Sequence, residues 1–87
     1  MAEASAEPAE PLIPLYGFLE GDTIGLLMLG HGSDTVAQLA ERLVASASVR
    51  VAPREKLRVR CAGRVLDPEM TLREAGLTAL ERFDVAP

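Results

Sequence analysis

Two apolar runs, Leu12 to Leu19 and Thr23 to Leu29, flank Glu20-Gly21-Asp22, where glycine can supply the positive φ of a tight turn. This pattern predicts a β-hairpin. Alternate residues of a strand point to opposite sides, so one side of the first strand shows Leu12, Pro14, Tyr16 and Phe18 and the other Ile13, Leu15, Gly17 and Leu19. Both sides are apolar. After a Gly-rich loop, Thr35-Val36-Ala37-Gln38 has the form of a capping box: the threonine hydroxyl accepts from a free backbone N–H at a helix start, and the glutamine returns the bond. Val36, Leu39, Ala40, Leu43 and Val44 then recur at helical spacing, with Gln38, Glu41 and Arg42 on the wet side, which predicts one amphipathic helix to about Ala47.

Beyond a loop at Pro53, Lys56 to Cys61 alternates charged and apolar residues, as in a half-buried strand with Leu57, Val59 and Cys61 inward. Ala62-Gly63-Arg64 turns the chain into a short strand at Val65-Leu66, and Thr71 to Ala75 predicts one helical turn capped by Thr71 and stopped by Gly76. Arg82 to Val85 alternates as a last strand. The predicted order is ββαββ, a helical turn, then β.

Composition narrows the possibilities. A chain of 87 residues is one small domain, and domains of this size bury only about 60% of the surface of the unfolded chain, too little to enclose a large catalytic cleft. With 48% hydrophobic residues it is too apolar for disorder, yet no apolar run approaches the roughly 20 residues of a membrane span. The single cysteine, Cys61, excludes an internal disulfide, and with one histidine, His31, no set of soft metal ligands can be assembled. Cys61 reads as a small buried hydrophobe and His31 as a loop residue without a catalytic partner nearby in sequence. No catalytic, metal-binding or cofactor-binding residue is assigned, and an intracellular location is expected. The formal net charge is −4, and Glu3, Glu7 and Glu10 account for most of it. They lie in residues 1–11, an Ala-, Glu- and Pro-rich stretch expected to be a flexible tail preceding a domain at 12–87.

Ser33-Asp34-Thr35-Val36, Leu39, Leu43, Ala62-Gly63-Arg64-Val65-Leu66-Asp67, Thr71-Leu72, Gly76-Leu77 and Phe83-x-Val85 together resemble the ubiquitin-type β-grasp pattern over about residues 12 to 85. The resemblance implies an α+β fold: one mixed sheet of about five strands packed on one amphipathic helix. A narrower resemblance lies in Val49-Arg50-Val51-Ala52-Pro53-Arg54-Glu55, Leu57 to Arg60, Met70-Thr71 and Ala75-Gly76-Leu77. These segments are similar to the small γ subunit of bacterial multicomponent toluene and alkene monooxygenase hydroxylases. It implies a non-catalytic, cytoplasmic assembly subunit partnered by hydroxylase α and β chains, and indirectly by a ferredoxin, a reductase and an effector protein. The diiron centre would belong to the α chain, and the substrate would be an aromatic or alkene hydrocarbon.

Two candidate contact regions follow from the residues. A one-helix sheet covers one face only, so Ile13, Leu15, Leu19, Leu27 and Leu29 are expected on an exposed apolar face that meets a partner protein, unless a different register turns some of them inward. Arg50, Arg54, Lys56, Arg58, Arg60 and Arg64 crowd fifteen residues opposed only by Glu55, and form either a basic stripe for an acidic partner or a solvated strand face. Nucleic acid is disfavoured by the negative net charge and by an aromatic complement of two Phe and one Tyr. A conjugated modifier needs a C-terminal Gly-Gly, and the chain ends Asp84-Val85-Ala86-Pro87. The remaining alternative is a free-standing ubiquitin-like adaptor of the bacterial secretion-system type.

Overall fold

A computed structural model describes residues 12–52 and 54–87, so the expected N-terminal tail and Pro53 lie outside the described residues. The hairpin consists of β1 (Leu12–Leu19) and β2 (Leu26–His31), followed by α1 (Val36–Ser46). The second half contributes β3 (Arg58–Cys61), β4 (Arg64–Val65), the one-turn helix α2 (Leu72–Ala75) and β5 (Arg82–Ala86). The strands form one mixed sheet in the order β2-β1-β5-β3-β4, in which β1 and β5 run parallel and the other pairs antiparallel. This is the β-grasp arrangement, and α1 packs on one face of the sheet only.

Local chemistry starts and stops the elements. Thr35 Oγ1 accepts from Gln38 N at 3.1 Å and Gln38 Oε1 accepts from Thr35 N at 2.9 Å, closing the capping box of α1. Thr71 and Glu74 repeat the motif at α2, and Gly76 ends that helix at φ 79°, a left-handed conformation that glycine adopts without steric cost. The two caps are tied together: Leu72 N donates to Asp34 O and Val36 N to Met70 O, both at 2.8 Å. Free N–H groups of two helix starts thus find partners in each other's entry loops. Between β3 and β4, Ala62 and Gly63 both take positive φ, 54° and 79°, as a two-residue hairpin turn requires.

The core is wholly apolar among the described residues. Leu15, Val36, Leu39, Leu72, Phe83 and Val85 are fully buried, with Leu43 at 1% exposure. Leu15 and Leu19 therefore stand on the inner face, and Ile13 packs partly buried against the same core, so the expectation that these three form an exposed face is overturned. The cause is the hairpin register. A turn confined to Glu20-Gly21-Asp22 would pair Leu19 with Thr23 and bring Leu15 opposite Leu27. In the structure the connection runs over residues 20–25, and Leu15 faces Met28 while Tyr16 faces Leu27. A one-residue change of register exchanges the two faces of a strand.

A long-range contact holds this choice. Gly17 lies on the inner face over Phe83, and a Cβ at Gly17 would stand 2.6 Å from Phe83 Cζ. The missing side chain makes room for the ring. At the opposite edge, Arg42 reaches from α1 to donate to the Leu29 carbonyl of β2 and to Asp34 Oδ2, at 3.2 Å in the second case. One arginine thus covers part of the exposed strand edge.

Two substitutions test this packing. Leu43→Ala should cost about 2–5 kcal/mol, as buried leucine truncations do, and Gly17→Ala about 1–3 kcal/mol through overpacking against a rigid ring. Both are read from denaturant unfolding. A loss below about 0.5 kcal/mol, the scale of surface changes, at either position would contradict the assigned inner face.

Candidate functional site

The face of the sheet opposite α1 is divided. On the β2–β1 side it carries Leu27 (59% exposed), Leu29 (49%), Leu12 (52%) and Tyr16 (42%), with Pro14 opposite Leu29 and Tyr16 opposite Leu27. Leu27 and Leu29 are where the apolar pattern placed them. Leu12 and Tyr16, on the opposite side of β1, take the positions expected of Leu15 and Leu19. The sequence signal for this swap was Gly17: a glycine between two large residues on one strand face marks close approach by another group.

In the middle of the face, β5 contributes Arg82 and Asp84. Arg82 Nη2 donates to Asp84 Oδ1 at 2.8 Å, and the guanidinium carbon lies 4.0 Å from the centre of the Phe18 ring. On the far side, Arg58 and Arg60 project outward from β3 beside exposed Val65 of β4.

The basic residues separate into two groups. Arg50 makes a two-pronged ion pair with Asp22, Nε to Oδ1 and Nη2 to Oδ2 both at 2.9 Å, and Arg54 Nη2 donates to the Glu20 carbonyl at 2.8 Å. Together they clamp the loop after α1 to the β1–β2 turn, so Arg50 and Arg54 are structural ties and leave the predicted basic stripe. Lys56, Arg58, Arg60 and Arg64 make no ion pair or side-chain hydrogen bond among the described residues.

Other candidate chemistry resolves simply. Burial pushes the Cys61 thiol up, and the Glu81 carboxylate 3.9 Å from Sγ adds to the effect, so both favour the protonated thiol. His31, expected to lack a partner, has a carboxylate neighbour in the fold: Asp34 accepts the His31 backbone N–H at 2.8 Å and lies 3.7 Å from Nδ1. Asp34 is occupied in holding the loop before α1, its acidity increased chiefly by that backbone bond. Among the described residues no group of three or more His, Cys, Asp or Glu side chains is placed to hold a metal ion. No helix among them is long and apolar enough to cross a membrane. An open groove of about 650 Å³ runs between α1 and the β3–β4 edge, floored by Ala40, Val44, Leu57 and Leu66 and rimmed by Arg54 and Lys56.

Five strands in this order, one crossing helix and an uncovered outer sheet face define a ubiquitin-like β-grasp protein. Two solved structures share that fold at low identity. The ubiquitin of Caldiarchaeum subterraneum has a TM-score of 0.74 at 18% identity, covering 86% of this chain and 91% of that one. A chain from a structure on molecular mimicry of SUMO in DNA repair has a TM-score of 0.75 at 20% identity, covering 95% and 99%. Over residues 12–86 the chain belongs to the family of toluene-4-monooxygenase system protein B. It is similar, with a TM-score of 0.79 and 32% identity over 86% of this chain and 96% of the other, to a chain of the toluene 4-monooxygenase HD complex with the inhibitor 4-bromobenzoate. A comparison with curated proteins found no significant match.

The Asp22–Arg50 clamp gives stability a definite pH dependence. The Arg50 guanidinium holds the Asp22 carboxyl below its ordinary value of 3.8. The unfolded chain therefore binds this proton first on acidification, and the stabilisation is present above pH 3.8 and lost as pH falls through the lower folded value. Asp22→Asn should lower the denaturant midpoint at neutral pH, with the difference from wild type shrinking below pH 3.8. A difference independent of pH would show that the ion pair is not its source.

Proposed function

We propose that this chain is the small, non-catalytic assembly subunit of a multicomponent hydrocarbon monooxygenase. Membership of the toluene-4-monooxygenase system protein B family across residues 12–86 carries the reading. The solved relative at 32% identity belongs to a toluene 4-monooxygenase complex, which supports hydroxylase chains as partners. The reading places the diiron centre in the large hydroxylase chain, takes an aromatic or alkene hydrocarbon as substrate of the assembled enzyme and puts the complex in the bacterial cytoplasm. Ferredoxin, reductase and effector proteins meet the complex without being direct partners of this chain.

Physical chemistry supports such a division of labour. The interior is filled by apolar side chains; the Asp22 carboxylate, its side chain 1% exposed, is committed to the Arg50 ion pair, and the buried Cys61 is held protonated, which supports a role without chemistry of its own. Its available work lies at its surface.

The test is co-expression with the hydroxylase large chains of the host. The chain should co-purify with them, carry no stoichiometric iron when isolated, and show no oxygenase activity alone; omitting it should lower the yield of active hydroxylase. Tightly bound stoichiometric metal in the isolated chain would overturn the non-catalytic assignment. A chain that joins no larger complex would favour the free-standing adaptor.

A further inference from the structure

We infer that the outer sheet face is the docking surface, and that it receives a protein surface in which an apolar patch is flanked by carboxylates. The inference rests on the subunit reading above and names the face and the partner chemistry, which family membership does not.

Two observations meet on this face. First, Leu27, Leu29, Leu12 and Tyr16 form a contiguous patch on adjacent strands, each 42–59% exposed. A single exposed leucine is ordinary, whereas a patch built from paired cross-strand residues marks a contact. Second, the face carries unmatched charge on its other side. Arg42, Arg50, Arg54 and Arg82 each have a carboxylate partner in the fold, at Asp34, Asp22, Glu20 and Asp84 respectively. Arg58 and Arg60 have none among the described residues, although they share the face on β3, two strands from Tyr16 of β1 and three from Leu27 and Leu29 of β2, about 10–15 Å across the sheet at the usual strand spacing.

This arrangement selects the partner. The guanidinium fork matches a carboxylate in two-pronged geometry, so paired arginines on one strand call for acidic side chains at the rim of the contact. Nucleic acid would satisfy the arginines but offer the leucine patch only phosphate and sugar. An anionic membrane would require the apolar residues to reach past the headgroups, and here they lie flush on strands within the sheet. A protein surface can meet both halves at once, with the leucines in its dry centre and the arginines at its wet edge.

Binding of purified wild type and variants to the host's hydroxylase large chains tests the inference, with circular dichroism as a check on folding. Leu27→Asp with Leu29→Asp should raise Kd by at least about thirtyfold at any ionic strength, the scale for loss of a central contact. If that pair fails to fold, Leu27→Thr with Leu29→Thr replaces it, since threonine suits a strand and is polar. Arg58→Glu with Arg60→Glu should weaken binding about tenfold or more near 50 mM salt, with most of the effect gone near 500 mM. Glu41→Lys with Ala45→Lys, which alters the groove beside α1, should bind as wild type does.

Wild-type binding by the folded sheet-face variants would overturn the inference and leave the subunit reading intact, as would loss of binding only in the groove variant. Failure of wild type to bind the large chains would overturn both. Sedimentation of wild type with anionic phospholipid vesicles, in place of hydroxylase binding, would assign the face to a membrane and overturn the inference.

Discussion

The rest of the fold depends on the place of Phe83. Its ring is fully buried on β5, the central strand, and lies against β1 where Gly17 has no side chain to oppose it. That contact determines which side of β1 faces α1. Once Gly17 is inside, Leu15 and Leu19 are inside with it, because a strand alternates with period two. The pairing of Leu15 with Met28 and of Tyr16 with Leu27 then sends Tyr16, Leu27 and Leu29 outward. The apolar outer patch is thus the geometric complement of the core, produced by a hairpin with apolar residues on both sides and a helix that covers one.

Charge follows a comparable logic of what remains. Few acidic side chains are available near the sheet, and the folded chain uses them locally. Asp22 and Asp34 each accept a guanidinium that joins separate segments, while Glu74 closes the cap of α2. The arginines of the loop after α1 are absorbed in this way. Those of β3 are not, because their strand neighbours on the outer face are Ala86, Asp84 already held by Arg82, and Val65. Unpaired arginines in water cost the monomer little, and they remain available to carboxylates on another surface.

An apolar interior and an open face that carries both leucines and unpaired arginines give this domain a surface suited to recognition. This agrees with membership of a monooxygenase component family. The ubiquitin-like fold, shared here with proteins of 18–20% identity, says little about function by itself, because a fold supplies a scaffold and function lies in the residues placed on it.

Much of the fold is legible in the sequence itself. The capping box at Thr35, the cap at Thr71, the stop at Gly76, the helical spacing of Leu39 and Leu43 and the alternation from Lys56 to Cys61 are short-range features, set by residues within one turn or one strand of each other. Each carries its own physical signature. The facing of β1 was marked by Gly17 alone, since leucine and aromatic residues stood on both sides, and the ring that chose between them is distant in the chain. The same holds for Arg50 and Arg54, whose partners at Asp22 and Glu20 lie across the domain. Local chemistry in the sequence determined the elements and their order. Which apolar side was buried, and which arginines were left unpaired, depended on contacts between segments far apart in the chain, and those exist only once the tertiary structure has formed.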